Sequence, residues 1–343
     1  MRSDLMKKGV ERIPHRALFY ALGFTDEELN RPIIGVVNAH NEIIPGHMHL
    51  DDIAEAVKAG IRMAGGTPVE FPAIGVCDGI AMNHEGMFYS LPSREHIADS
   101  VEIMATAHPF DGLVFIPNCD KIVPGMLMAA ARLDIPCIFL PGGPMEGGVE
   151  FDGRQADQTS STEAYGMLSA GKITEEEYVS LENPACPGCG SCSYLGTANT
   201  MCALAEALGM TLPDGGTAPA TSAIRMMKAE ETGVKIMELV EKNITVSQIM
   251  TPAAFRNAII VHSAIGGSTN ATIHLPSIAR ELGYDLPIEL FDEINHQVPH
   301  LGNINPSGTQ LTESFWFAGG VPMVQWMLRA GSGRDDRHRQ DAG

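Results

Sequence analysis

Short apolar runs alternate with amphipathic stretches along the first 140 residues. Ile33-Ile-Gly-Val-Val37, Ala73-Ile-Gly-Val-Cys77, Gly112-Leu-Val-Phe-Ile116 and Cys137-Ile-Phe-Leu140 each read as a short buried strand. Between the first two, Ile53, Val57, Ile61 and Ala64 fall on one face of a helix. Ser93 reads as the cap of a second helix carrying Ile97, Val101, Met104 and Ala105, and Pro124 as the opening of a third. This alternation predicts a three-layer α/β/α fold with a mostly parallel sheet covered by helices on both faces.

After Leu140 the pattern changes. Residues 146–184 are more polar and read as an insertion, with a helix starting at Thr174-Glu-Glu-Glu-Tyr178. From about residue 197 the periodicity is helical, over 197–209, 219–230, 233–242, 251–262, 268–282 and 314–330. Residues 1–330 thus read as one domain. Residues 331–343 change composition abruptly, hold no apolar residue except Ala342, and read as a disordered tail.

Composition narrows the function. At 343 residues and 44% hydrophobic, the chain can bury a full core. A net charge of -19 argues against nucleic acid or an anionic membrane as partner, because both are negatively charged. The N-terminus Met1-Arg-Ser-Asp-Leu-Met-Lys-Lys8 lacks the apolar stretch of a signal peptide, and no run of about eighteen apolar residues is present, so a cytoplasmic protein is expected. Seven cysteines in such a chain point to metal or redox chemistry rather than disulfides. Cys137 and Cys202 lie in apolar patterns and read as core residues.

The candidate chemistry concentrates in Asn118-Cys-Asp-Lys121 and Cys186-Pro-Gly-Cys-Gly-Ser-Cys192. Thiolates select iron–sulfur clusters, zinc or copper, and carboxylates select magnesium, calcium or manganese. A run mixing both suggests two unlike metals on one substrate. Cys119 could instead complete a structural zinc site with the three later cysteines. Gly196-Thr-Ala-Asn-Thr200 points a helix N-terminus at this region, which favours an anionic cluster or a carboxylate. Asp78 and Asp120 follow strand signals and are the hard-metal candidates, with turn formation or capping as their ordinary role. Lys121 would repel a cation unless neutralised or converted to a carbamate. Gly266-Gly-Ser-Thr-Asn270 could receive an anion, and His47 and His49 could bind a metal or simply shape a loop.

Several segments together resemble a known family. These are Gly75-Val-Cys-Asp-Gly-Ile-Ala-Met-Asn-His84, Ser90-Leu-Pro-Ser-Arg-Glu95, Asn118-Cys-Asp-Lys-Ile-Val-Pro-Gly-Met126, Gly142-Gly-Pro-Met145, Cys186 to Cys192, Thr197-Ala-Asn-Thr-Met201 and Gly266 to Asn270. Over about residues 1–330, and in this order, they resemble the family of dihydroxy-acid, phosphogluconate and sugar-acid dehydratases, most closely its dihydroxy-acid branch. The resemblance implies a hydro-lyase that converts 2,3-dihydroxy-3-methyl acids to 2-keto acids in branched-chain amino-acid synthesis, and a homodimer in full-length members. It implies Cys119 and Cys192 as cluster ligands, and Asp78, Asp120 and a carbamylated Lys121 as magnesium ligands. One branch, with a [2Fe–2S] cluster, carries a cysteine where this chain has Gly46. The presence of Cys186 and Cys189 instead favours [4Fe–4S], with Cys189 as third ligand. Family members continue into a β-rich C-terminal domain bearing a magnesium-binding glutamate and a general-base serine. Neither is located here, so a truncated or frame-shifted chain is expected, with an inactive metal-binding or interaction fragment as the alternative to an enzyme.

Overall fold

The computed structural model describes residues 1–332. Four parallel strands form its central sheet, in the order β2-β1-β3-β4. They are β1 (Ile33–Asn38), β2 (Thr67–Pro72), β3 (Gly112–Ile116) and β4 (Cys137–Phe139). Every residue of β1, β3 and β4 is buried, as expected of strands covered on both faces. From β1 the chain moves outward to β2, but from β3 it moves the opposite way to β4. Right-handed crossovers then put the connecting helices, Leu50–Met63 and Ile122–Leu133, on opposite faces. The carboxyl ends of β1 and β3 therefore flank the switch point, where open α/β sheets bind ligands.

The predicted strand over residues 73–77 is displaced. The chain instead pairs at Thr67–Pro72, in register with Ile33–Asn38. β2 is an edge strand, so Pro68 and Pro72 remove no bond that an inner strand would need. Residues 73–77 form an irregular segment, and Asp78 opens the short helix Asp78–Ala81 rather than ending a strand. Ser93 is not the cap either. That helix begins at Ser90, and the Ser93 hydroxyl donates back to the Ser90 carbonyl at 2.6 Å.

The helical second half is present, with some boundaries moved. The two helices expected over 219–230 and 233–242 are one, Ala223–Lys242. Gly233 does not break it, because it is the point of closest approach to the helix Leu50–Met63. A Cβ on Gly60 would collide with the Glu230 carbonyl, and one on Gly233 with the Val57 carbonyl. The last predicted helix is split into Thr312–Phe317 and Gly320–Ser332 at Gly319, whose φ is 103°. The helices Ile13–Ala21 and Glu289–Asn295 had no sequence counterpart. Gly320–Ser332 takes in the first two residues of the segment read as a tail, and the rest of that segment lies outside the described residues.

Residues 146–184 carry a small hairpin, Glu150–Phe151 with Arg154–Gln155, and the helices Gln158–Ser169 and Glu175–Val179. Asn305 fastens this excursion to the body by donating to Asp157 Oδ2 at 2.6 Å. One apolar core runs from Ile33 to Val324. Large apolar side chains also face outward, among them Phe88, Tyr89, Phe317 and Trp326. No helix among the described residues is long and apolar enough to cross a membrane.

Two stability tests follow from this packing. Replacing Gly60 with alanine forces two helix backbones apart and should lower unfolding stability by about 1–3 kcal/mol, read as a drop in the urea midpoint. Glu206 is buried at the end of the helix Thr197–Ala207, where it accepts amides of Asp214 (3.1 Å) and Gly216 (3.0 Å). Burial raises its pKa from 4.5 to about 7. The folded chain then holds a proton that the unfolded chain releases, so this group's contribution to stability falls as pH rises from about 4.5 to 7. Glu206→Gln should flatten the urea midpoint over that interval, and an unchanged slope would contradict the assignment.

Candidate metal centre

Five residues carry β3 into the helix Ile122–Leu133, and both elements are buried almost throughout. The Cys119 carbonyl accepts the amides of Ile122 (3.1 Å) and Val123 (3.2 Å), which fixes the turn between them. Asn118 ties this turn to its neighbours. Its amide donates to the carbonyls of Gly46 (2.8 Å), in the loop after β1, and of Gly143 (2.9 Å), in the loop after β4. The three loops at the carboxyl edge are thereby held as one unit.

The three-cysteine segment is laid along the same edge. Gly190 donates to the Pro45 carbonyl (3.2 Å), Ser191 to Gly143 (3.0 Å), and Met145 to Ser191 (2.7 Å). Asn199 clamps the far end, donating to the carbonyls of Cys192 and Tyr194 (2.8 Å) and accepting the Ser191 hydroxyl (2.7 Å). Gly46 lets these loops approach closely. A Cβ there would sit 3.0 Å from Cys119 Sγ and 3.3 Å from the Gly190 carbonyl.

Beside the sulfurs lie the hard donors. Lys121 donates to Asp78 Oδ2 at 2.5 Å, and Ser90 donates to Asp78 Oδ1 at 2.5 Å. Asp120 Oδ1 accepts the Ala198 amide at 3.1 Å, so the anion drawn to the helix Thr197–Ala207 is Asp120 itself. Burial, and then the charge of Asp78, push the Asp120 carboxyl up to about 6 against the opposing pull of Lys121.

The thiols respond to the same field. Burial raises Cys119 well above its ordinary value, and the charges of Asp120, Cys192 and Cys77 add to it. Cys192 is pushed up to about 12 by burial, then by Asp120 and Cys77. Crowded carboxylates and thiols with a single ammonium among them are an arrangement that a cation relieves.

Of the six residues singled out from the sequence, Asp78 and Lys121 are thus in direct contact. Cys119, Cys192 and Asp120 share one electrostatic neighbourhood. The charges felt by Cys189 are those of Glu146 and Asp52, while Cys77, which was not singled out, acts on both Cys119 and Cys192. Among the described residues no three His, Cys, Asp or Glu side chains converge closely enough to hold one ion. The donor types fit one soft and one hard site, each with two residues from this set beside Lys121.

Other candidates are absorbed locally. His47 Nδ1 meets the Ala39 carbonyl (2.6 Å) and His49 Nε2 the Gly142 carbonyl (2.9 Å), so each shapes a loop. The 266–270 loop turns toward the helix Thr197–Ala207, with the Ser268 amide donating to Thr200 Oγ1 (2.9 Å) and Asn270 to Thr197 Oγ1 (2.6 Å). Two groups near Lys121 had no clear sequence signal. Arg94 donates to His274 Nδ1 at 3.1 Å, and both are buried. Burial, followed by the charges of Arg94 and Lys121, lowers the His274 pKa to about 3, so its ring is neutral.

Residues 31–337 match the N-terminal domain pattern of the dihydroxy-acid/6-phosphogluconate dehydratases. The chain belongs to that family. A dihydroxy-acid dehydratase of Caldanaerobacter subterraneus subsp. tengcongensis is 64% identical over 324 residues, 94% of this chain and 58% of the relative. The dihydroxy-acid dehydratase of Moorella thermoacetica is 58% identical over the same shares. That of Pyrococcus abyssi is 58% identical over 96% of this chain and 59% of its own length. The chain therefore spans somewhat under three fifths of the dehydratases it matches, and the family match continues past Ala330.

The site geometry predicts an order of thiol reactivity in the metal-free chain. Exposed Cys186 should alkylate first, Cys192 slowly, and buried Cys137 and Cys202 last. Asn199→Ala should release the Cys192 loop and speed Cys192 labelling several-fold, as followed by peptide mass spectrometry.

Proposed function

We propose that this chain supplies the metal-binding part of a hydro-lyase that dehydrates 2,3-dihydroxy-3-methyl carboxylic acids, 2,3-dihydroxyisovalerate and 2,3-dihydroxy-3-methylvalerate, to 2-keto acids. A single observation carries the proposal. Cys119 and Asp120, consecutive residues on one rigid turn, share a buried neighbourhood with Cys192, and the next residue, Lys121, pairs with Asp78. The names of the relatives support the branched-chain substrate over a sugar acid, which remains the second reading within the family.

Cys119 and Cys192 would hold an iron–sulfur cluster with Cys189 as third ligand, and Asp78, Asp120 and Lys121 as a carbamate would hold magnesium. When bound, the two groups supply Lewis acidity toward the hydroxyls and carboxylate of the substrate. The close approach of Gly46 to Cys119 Sγ supports placing position 46 in the cluster's surroundings. Gly46 together with Cys186 and Cys189 favours [4Fe–4S] over [2Fe–2S].

The chain's own residues orient and hold. Ser90 and the Ala198 amide fix one oxygen each of Asp78 and Asp120, leaving the remaining lone pairs for a cation. Asn199 and Asn118 hold the two cysteine-bearing loops at fixed separation. Overall, a proton leaves C2 and hydroxide leaves C3, and the resulting enol becomes the keto acid. The general base, a serine in the family resemblance, and a further magnesium-binding glutamate belong to the proposal for the whole polypeptide. A homodimer and a cytoplasmic location belong to it as well.

Anaerobic reconstitution with iron, sulfide and magnesium tests this reading. Iron–sulfur absorbance should develop and fail to do so in Cys119→Ser and Cys192→Ser, while Asp120→Asn keeps the absorbance and loses magnesium. Zinc at one per chain without iron would overturn it in favour of a structural zinc site. Dehydration of 2,3-dihydroxyisovalerate by the reconstituted chain, compared with a sugar acid, separates an active enzyme from a metal-binding fragment.

A further inference from the structure

His274 is almost fully buried, and one of its ring nitrogens has no partner. Arg94 reaches Nδ1 at 3.1 Å and can only donate, so Nδ1 accepts and the ring proton sits on Nε2. Nε2 is the nitrogen without a partner. A buried N–H donor left unpaired is costly, and such groups in native folds call for an acceptor.

The surroundings indicate where that acceptor belongs. The helices Ala271–Glu281 and Ser90–Ala107 both pack on Ile122–Leu133, the helix that Lys121 caps. Gly125 donates to the Lys121 carbonyl, and a Cβ on Gly125 would lie 2.8 Å from the Arg94 carbonyl, so Arg94 runs against the first turn after Lys121. Ser90 and Arg94 are one turn apart on the same helix face. Ser90 holds Asp78, the partner of Lys121, while Arg94 holds His274. The ammonium of Lys121 offers the imidazole N–H nothing, because it has no acceptor. A carboxylated amine would offer two oxygens.

We propose that His274 is a positioning residue for a carbamylated Lys121, with its Nε2–H donating to a carbamate oxygen and Arg94 fixing the tautomer. The inference rests on the reading of Lys121 as a carbamate. The neutral amine forms an N–C bond to carbon dioxide, one C–O π pair moves onto oxygen, and the two protons of the overall step leave to solvent. Lys121 then changes from a cation to an anion. Asp78 then faces a like charge in place of an ammonium, so the new group needs hydrogen bonds as well as a metal.

The test is ¹³C NMR of the chain equilibrated with ¹³C-bicarbonate and magnesium. The parent should show a carbamate resonance that Lys121→Arg lacks. His274→Phe and His274→Leu, which remove the donor, should each need on the order of tenfold more carbon dioxide for half occupancy. His274→Gln, with an amide donor at the height of Nε2, should recover most of the loss. Far-UV circular dichroism identifies which variants fold. A folded His274→Phe or His274→Leu with parental occupancy, or a His274→Gln as weak as these, overturns the role of His274 while leaving the carbamate reading intact. No resonance in the parent overturns the carbamate reading and the role of His274 with it.

Discussion

The candidate site depends on the turn that takes β3 into the helix Ile122–Leu133. Both elements are buried, and the Cys119 carbonyl bonds the first amides of the helix, so the turn has little freedom. It places a thiol, a carboxylate and an amine on consecutive residues. One rigid piece of backbone thus serves both the thiols and the carboxylate–lysine pair without a flexible linker between them. Asn118 extends this rigidity sideways by holding the loops after β1 and β4 to the same turn.

The electrostatics are unfavourable in the bare protein, and this is informative. Asp120 is raised to about 6 and Cys192 to about 12, with burial the largest cause in each case and neighbouring negative groups adding to it. A fold selected only for stability would replace such groups with apolar ones. Here the backbone is organised to keep them, with the helix terminus at Thr197–Ala207 given to Asp120 and two asparagines given to the cysteine loops. Sites that trade stability for poised charge are characteristic of catalysis.

Much of this was legible in the sequence. The inner strands β1, β3 and β4 showed as continuous apolar runs because both of their faces are buried. The edge strand β2 did not, since it is half-paired and contains two prolines, and the eye is drawn to the more apolar residues that follow it. The helix Ala223–Lys242 read as two, 219–230 and 233–242, because the sequence does not show the facing helix that Gly233 accommodates. At the site, the Cys-Asp-Lys run and the three-cysteine loop were found by donor type and spacing. Cys77 was passed over, although it adjoins Asp78, because it stands alone in sequence. His274 gave no signal at all: a lone histidine on an apolar helix is ordinarily core, and only its unpaired nitrogen distinguishes it.

The central claim is that soft and hard metals are held next to each other by consecutive residues. Electron paramagnetic resonance of the reconstituted chain, with manganese replacing magnesium and the cluster reduced, tests it most directly. Neighbouring sites predict a manganese signal broadened by dipolar coupling to the cluster, and restored when Cys119→Ser abolishes the cluster. A manganese spectrum unaffected by reduction of an intact cluster would contradict the account.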